Sequence, residues 1–166
     1  SRRQRQMCIR DSQQGWFVPH NVEGMVQMMG GRKKVLADLT DMFELTPKNY
    51  FWNQYYNHAN EPVHHVPFLF NRLGAPELTQ KWTRDICRNA YKNAVLGLVG
   101  NEDVGQMSAW YMFNCAGFYP VAPSSNIYNI GSPCVEALSI RMSNGKEIKM
   151  TTENWSEENV YIKELY

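Results

Sequence analysis

What this sequence has little of narrows it first. Its four cysteines, Cys8, Cys87, Cys115 and Cys134, stand far apart with no C-x-x-C pair. That spacing argues against a structural zinc site and against a small disulfide scaffold. No apolar run approaches the ~20 residues a membrane-spanning helix needs. Charge of either sign is scarce in net terms: 17 Lys and Arg face 16 Asp and Glu, for a formal charge of +1. No polyanionic partner is therefore implied, nucleic acid least of all. No leader-like segment is seen, but residue 1 is not methionine, so this says nothing about the compartment. No internal repeat is present.

What is there is apolar and aromatic. Hydrophobic residues make up 43% and aromatic residues 13% of 166 positions, enough for one domain with a real core. Residues 1–12, "SRRQRQMCIRDS", carry four arginines and no periodicity. They could be a basic arm for nucleic acid or anionic lipid. The string also resembles a translated sequencing adapter, and we read it as a non-native or disordered N-terminal scar outside the fold.

From residue 16 to about 117 the pattern is mostly helical, within a domain taken as 13–122. "NVEGMVQMMGG" places Val22, Met25, Val26 and Met29 at i, i+3, i+4 and i+7, with Asn21 as N-cap and Gly30-Gly31 as the stop. Met25, Met28 and Met29 read as core filler. "RKKVLADLTDMF" repeats the spacing through Val35, Leu36, Leu39, Met42 and Phe43. "FWNQYYNHANEP" reads as an irregular aromatic loop. A helix is expected over "EPVHHVPFLFNRLG", capped at Asn60 or Glu61 and kinked or shortened by Pro67. Residues 75–93 form the clearest amphipathic helix, with Leu78, Trp82, Ile86 and Ala90 on one face. The helix over "DVGQMSAWYMFNCAG" is apolar nearly all round and is expected to be deeply buried. Across 123–166 the period changes to two: "NIYNIG", "EALSIRM", "KEIKMTT" and "NVYIKELY" read as short antiparallel strands. Asn144-Gly145 carries the signature of a type I′ hairpin that sets Leu138, Ile140 and Met142 opposite Ile148 and Met150. The fold class is thus mainly α, with a β appendage.

Three loop-to-helix entries carry polar or aromatic clusters. In "GNEDVGQ", Asp103 followed by Gln106 fits a capping box. Yet Gly100 and Gly105 flank the turn, and a carboxylate at the mouth of an apolar helix would be desolvated enough to act as a general base. In "NHANEPVHH", Asn60 and Glu61 either cap a helix or offer a loop carbonyl and a carboxylate to a hard cation such as calcium. His64 and His65 point about 100° apart on a helix, so this is not an H-E-x-x-H site. In "QQGWFVPHN", Trp16, Phe17 and His20 could pack on the C–H face of a sugar or in the core. Paired helices would bring alternate loops, and with them all three clusters, to one mouth.

At this point the strings "WFVPHNVEGMVQMMGG", "NEPVHHVPFLFNRLG", "GNEDVGQMSAWYMFNCAGFYPV" and "YNIGSPCVEALSIRMSNGK" resemble, in order and spacing, the C-terminal part of glycoside hydrolase family 92. The resemblance covers about residues 15–166. It implies a calcium-dependent, inverting exo-α-mannosidase acting on N-glycans or mannan, typically exported by a bacterium. It also implies that 13–122 are the later helices of an (α/α)6 barrel whose N-terminal β-sandwich partner belongs to the same protein. By position, Asp103 matches the general base, with Asn101 and Glu102 in the same acidic turn. Asn60 and Glu61 match the calcium-holding segment; His58, Trp16 and His20 fall where the family meets sugar. The family's general acid is a Glu shortly before the Trp-Phe-Val-Pro-His segment. Here that stretch reads "CIRDSQQGW", with Cys8 at the expected place and Asp11 a poor substitute. The expectation is a mannosidase piece that is inactive alone. The rivals are a non-catalytic helical carbohydrate-binding or interaction module and a phosphorolytic (α/α)-barrel enzyme. The second lacks any basic loop near 100–106. In the module reading, Asp103 and Glu61 merely cap separate helices; in the enzyme reading they lie within about a sugar's width.

Overall fold

The computed structural model describes residues 13–122 and 125–166. The readings made for residues 1–12, with Cys8 and Asp11, lie outside the described residues. From residue 22 on, the described residues form the helices α1 (Val22–Met28), α2 (Arg32–Glu44), α3 (Leu69–Arg72), α4 (Pro76–Ala90) and α5 (Gln106–Cys115). Two antiparallel strand pairs close the chain: β1 (Phe118–Tyr119) with β2 (Asn129–Ile130), and β3 (Ala137–Arg141) with β4 (Glu147–Thr151). The molecule is mainly α with a β appendage, as its periodicities predict.

Local chemistry explains most boundaries. The Asn21 side chain accepts from Gly24 N at 3.0 Å and starts α1, satisfying one donor that the helix leaves free. Val22, Met25 and Val26 are buried. Met28 is a correction: it is 91% exposed, because it falls between the apolar positions of the helical repeat. In α2 the buried positions are Val35, Leu39 and Phe43. In α4, Trp82, Ile86, Cys87 and Ala90 turn inward. The Phe43 ring stacks on Trp82 at 5.3 Å and on Tyr56 at 4.7 Å, joining both long helices to the aromatic loop. Each fully buried aromatic contributes roughly 2–3 kcal/mol of transfer free energy.

Four further expectations change. The helix over 60–74 is instead two 3₁₀ turns, Glu61–Val63 and Val66–Phe68, followed by the single turn of α3. Pro62 and Pro67 cannot donate backbone hydrogen bonds, so a continuous α-helix is not available here. Helix α5 is not buried all round: Met107, Trp110 and Asn114 turn inward, while Met112 is 62% exposed. The β3–β4 hairpin pairs Leu138 with Met150 and Ile140 with Ile148 as expected. Its turn, however, is a three-residue loop closed by Met142 N–H to Lys146 O (2.8 Å), with positive φ at Gly145 and not at Asn144. A type I′ turn needs both residues left-handed. Finally, "NVYIKELY" forms no strand. Ser132 Oγ donates to Val160 O (2.6 Å) and Ile162 N–H to Gln80 Oε1 (2.9 Å), so the tail lies against α4 without a strand partner.

Candidate active site

Two segments of very different sequence meet beside the N-terminus of α5. The first, 56–65, is held by a directed chain of hydrogen bonds. Tyr91 Oη donates to Met107 O (3.1 Å), so it accepts from His58 Nε2–H (2.8 Å). That leaves His58 Nδ1 to accept from Tyr56 Oη (2.8 Å), which fixes one neutral tautomer. His64 Nε2 donates to the His58 carbonyl (2.9 Å), and its Nδ1 accepts from Gln106 Nε2 (3.2 Å). Trp110 Nε1 donates to His64 O (2.9 Å). Burial holds His58 far below the usual imidazole range, and the neighbouring His64 imidazole lowers it further. His64 is lowered to about 4, chiefly by burial. Both rings are therefore structural donors and acceptors at neutral pH, not titrating bases.

The second segment, 100–106, is held by backbone geometry. At Gly100 (φ +120°) a Cβ would lie 2.8 Å from the Cβ of Ala59 and 3.1 Å from its Cα. Only glycine lets the two segments approach this closely. Asp103, Val104 and Gly105 then follow with φ of 46°, 58° and 91°. Left-handed backbone at a β-branched residue is strained, and Val104 is wholly exposed while it bears that strain. The capping-box expectation is corrected here. Gly105 occupies the N-cap position, and Glu102 does the capping: its carboxylate accepts from Ser108 N–H (3.0 Å) and Ser108 Oγ (2.9 Å). Asp103 is left free of that duty and faces solvent.

The desolvation expected at Asp103 falls on Glu61 instead. Burial raises the Glu61 carboxyl, and the Asp103 carboxylate alongside raises it further. Glu61 Oε1 is buried without a hydrogen-bond partner. Asn60 sits at the start of the first 3₁₀ turn without a side-chain cap bond, and its carbonyl accepts from Val63 N–H (3.2 Å). Among the described residues, no three His, Cys, Asp or Glu side chains converge with metal-binding geometry.

The remaining candidates separate. His20 and Asn101 are exposed. Trp16 is buried, and its carbonyl accepts from His65 Nε2 (2.8 Å); core packing, the alternative weighed for this cluster, is where it goes. His58 has no exposed surface, so direct contact with a sugar is replaced by the Tyr56–His58–Tyr91 chain. Tyr91, Gln106 and Trp110 were missed as site-supporting residues. Only Gln106 carried a local signal, and that signal pointed to a cap.

Comparison with known proteins bears on these residues together. A family model described as the glycosyl hydrolase family 92 catalytic domain matches residues 9–166. A family GH92 alpha-mannosidase from Bacteroides thetaiotaomicron superposes with a TM-score of 0.85 at 52% identity, covering 93% of this chain and 21% of that one. A family GH92 inverting mannosidase from the same species gives a TM-score of 0.78 at 32% identity, with 89% and 22% covered. An uncharacterized secreted glycosidase from Arthroderma benhamiae is 30% identical over 151 residues, 89% of this chain and 18% of its own length. The chain spans about a fifth of the length of these relatives.

Proposed function

This chain belongs to the glycosyl hydrolase family 92 catalytic domain family, and from that premise we propose that the whole protein is an inverting, calcium-dependent exo-α-mannosidase. Its substrate is a mannose-terminated glycan, an N-glycan or mannan. The observation that carries the reading is the meeting of the segments bearing Glu61 and Asp103: Gly100 packs against Ala59, Gln106 Nε2 reaches His64 Nδ1 (3.2 Å), and the Asp103 carboxylate lies near enough to raise that of Glu61. Separate helix caps would have no reason to converge.

In this reading Asp103 is the general base. It stands on a turn whose backbone is locked by Gly100 and by Glu102, so its carboxylate can take a proton from an attacking water without rearranging. An inverting reaction places that water opposite the leaving group, with base and acid about 6.5–9.5 Å apart. Glu61 and the Asn60 carbonyl suit a hard cation. The unpartnered Oε1 and the adjacent second carboxylate are what a divalent ion would satisfy, and backbone carbonyl, water and sugar hydroxyls would complete its shell. When bound, calcium supplies positive charge beside the mannose hydroxyls and favours a flattened ring. In this reading Asn101 belongs to the acidic turn with Asp103, and exposed His20 is a sugar contact. Buried His58 and Trp16 hold the mouth in shape.

Residues 1–15 contain no Glu, so the residue that the family resemblance assigns as general acid has no counterpart among them. An exported location, bacterial by family habit, is supported by the secreted relative. The test is release of mannose from α-linked mannobiose by the whole protein. Asp103→Asn is expected to lower kcat by about 10²–10⁴ with the fold intact, and the first product seen by NMR is expected to be the β-anomer. No mannose release by the whole protein, or an unaffected D103N enzyme, would overturn this assignment, whereas calcium-dependent release by the 166-residue chain alone would overturn only the expectation that this piece is inactive.

A further inference from the structure

The cysteines that look scattered in sequence are gathered in space. The antiparallel pairing of Phe118 with Ile130 runs on beyond β1 and β2. Gly131 N–H donates to Gly117 O (2.9 Å), and Cys134 N–H to Cys115 O (3.1 Å). A Cβ at Gly117 would lie 3.0 Å from the Pro133 ring, so the two strands run in close contact. The last residue of α5 and the residue after Pro133 are thereby one backbone hydrogen bond apart, the separation at which paired cysteines can be bridged. The thiols follow the backbones: Cys134 Sγ donates to Ser132 O (3.9 Å), and the thiols of Cys115 and of Cys87 in α4 both lie near enough to act on it. Cys115 and Cys134 are half-buried, whereas Cys87 is buried. Arg84, itself buried, fastens the region by donating to the Pro133 carbonyl and to Ser156 O (2.7 Å).

We propose that Cys115 and Cys134 form a redox-controlled disulfide that staples the C-terminal end of α5, the helix carrying the acidic turn, to the strand after β2. This does not rest on the mannosidase reading. The oxidant is a low-molecular-weight or protein disulfide. One thiolate, from Cys134, attacks it to give a mixed disulfide and releases one thiolate. Cys115 then attacks the Cys134 sulfur, closing the internal bond and releasing the second. Two thiols are oxidised, one disulfide is reduced to two thiols, and two protons pass to the released thiolates. Cys87 is the buried neighbour left free. Three thiols could otherwise suggest a metal, but they do not present metal-binding geometry. The neighbouring Cys134 thiol, and then burial, push the Cys115 thiol well above its ordinary range, so closure is expected to quicken as pH rises.

The test incubates the folded chain with glutathione disulfide, then cleaves it with chymotrypsin and weighs the peptides without reduction. The expected product joins the Cys115 and Cys134 peptides with the loss of two hydrogens. Cys87→Ser is expected to keep that product, and Cys115→Ser or Cys134→Ser to abolish it. Closing a loop of about 20 residues is expected to raise Tm by about 5–10 °C over the reduced chain. Should a serine variant fail to fold, iodoacetamide labelling of the wild-type chain decides: both thiols label when reduced and neither when oxidised. A Cys87–Cys134 product, or equal labelling in both states, would overturn the proposal.

Discussion

Residues 56–65 and residues 100–106 meet at the candidate site, but they are held in opposite ways. The first segment is immobilised by burial. His58 and His64 are 0% and 1% exposed, and each finds partners for its ring nitrogens inside the protein. The second is exposed and strained, and it keeps its shape through glycine geometry at Gly100 and the Glu102 cap on Ser108. A rigid floor thus carries the candidate cation ligands, and a projecting turn carries the candidate base. Catalytic groups commonly sit where strain is tolerated because the surroundings over-determine it.

The contrast breaks most forcefully at its floor. Trp110 is fully buried and joins the segments through its bond to His64 O. Trp110→Ala is expected to cost about 3–5 kcal/mol in denaturant unfolding, against less than about 1 kcal/mol for a truncation at exposed Met112 on the same helix.

Acid should attack the same floor. His58, His64 and His65 all have lowered folded-state values, chiefly through burial. A histidine with a depressed folded value binds its proton in the unfolded chain first. Its contribution is therefore complete above about pH 6.5 and is lost as pH falls from there toward the His64 value of about 4. Each such histidine can cost up to about 1.4 kcal/mol per pH unit within that window. Unfolding midpoints measured from pH 7.5 to 4.5 should fall steeply below 6.5; a flat profile would mean that the imidazoles are not neutral and buried as described.

How much of this was legible in the sequence divides along the same line. The helix faces of Val35, Leu39 and Phe43, or of Trp82, Ile86 and Ala90, follow from a period of 3.6, which needs no tertiary knowledge. The hairpin register followed from alternation, but not its turn, because Asn-Gly is compatible with more than one loop length. At the site, the residues were legible and their division of labour was not. Asp103-x-x-Gln106 reads as a cap locally; the chain instead uses Glu102, one residue earlier, whose carboxylate reaches Ser108 across a bend of three left-handed residues. Which of Glu61 and Asp103 is desolvated depends on how two distant segments pack. The His58 chain depends on Tyr91, some thirty positions away, and carried no local signal.

At the projecting turn the expected effects are smaller. Val104 is left-handed and fully exposed, so Val104→Gly should relieve strain of about 1–2 kcal/mol against a loss of roughly half that in unfolded-state entropy. Thermal unfolding should show a net gain of about 0.5–1 kcal/mol. A loss would mean that the Val104 side chain makes a contact that stabilises the turn.

The central claim is that Glu61 and Asp103 form one cation-binding, water-activating centre. Calcium titration of the chain, followed by thermal unfolding of wild type and Glu61→Gln side by side, tests it most directly. At 100 times Kd, binding should stabilise the wild type by about 2.7 kcal/mol, seen as a rise in Tm. E61Q should fold and show little or no rise. An equal calcium response in both proteins, or none in either, would contradict the account.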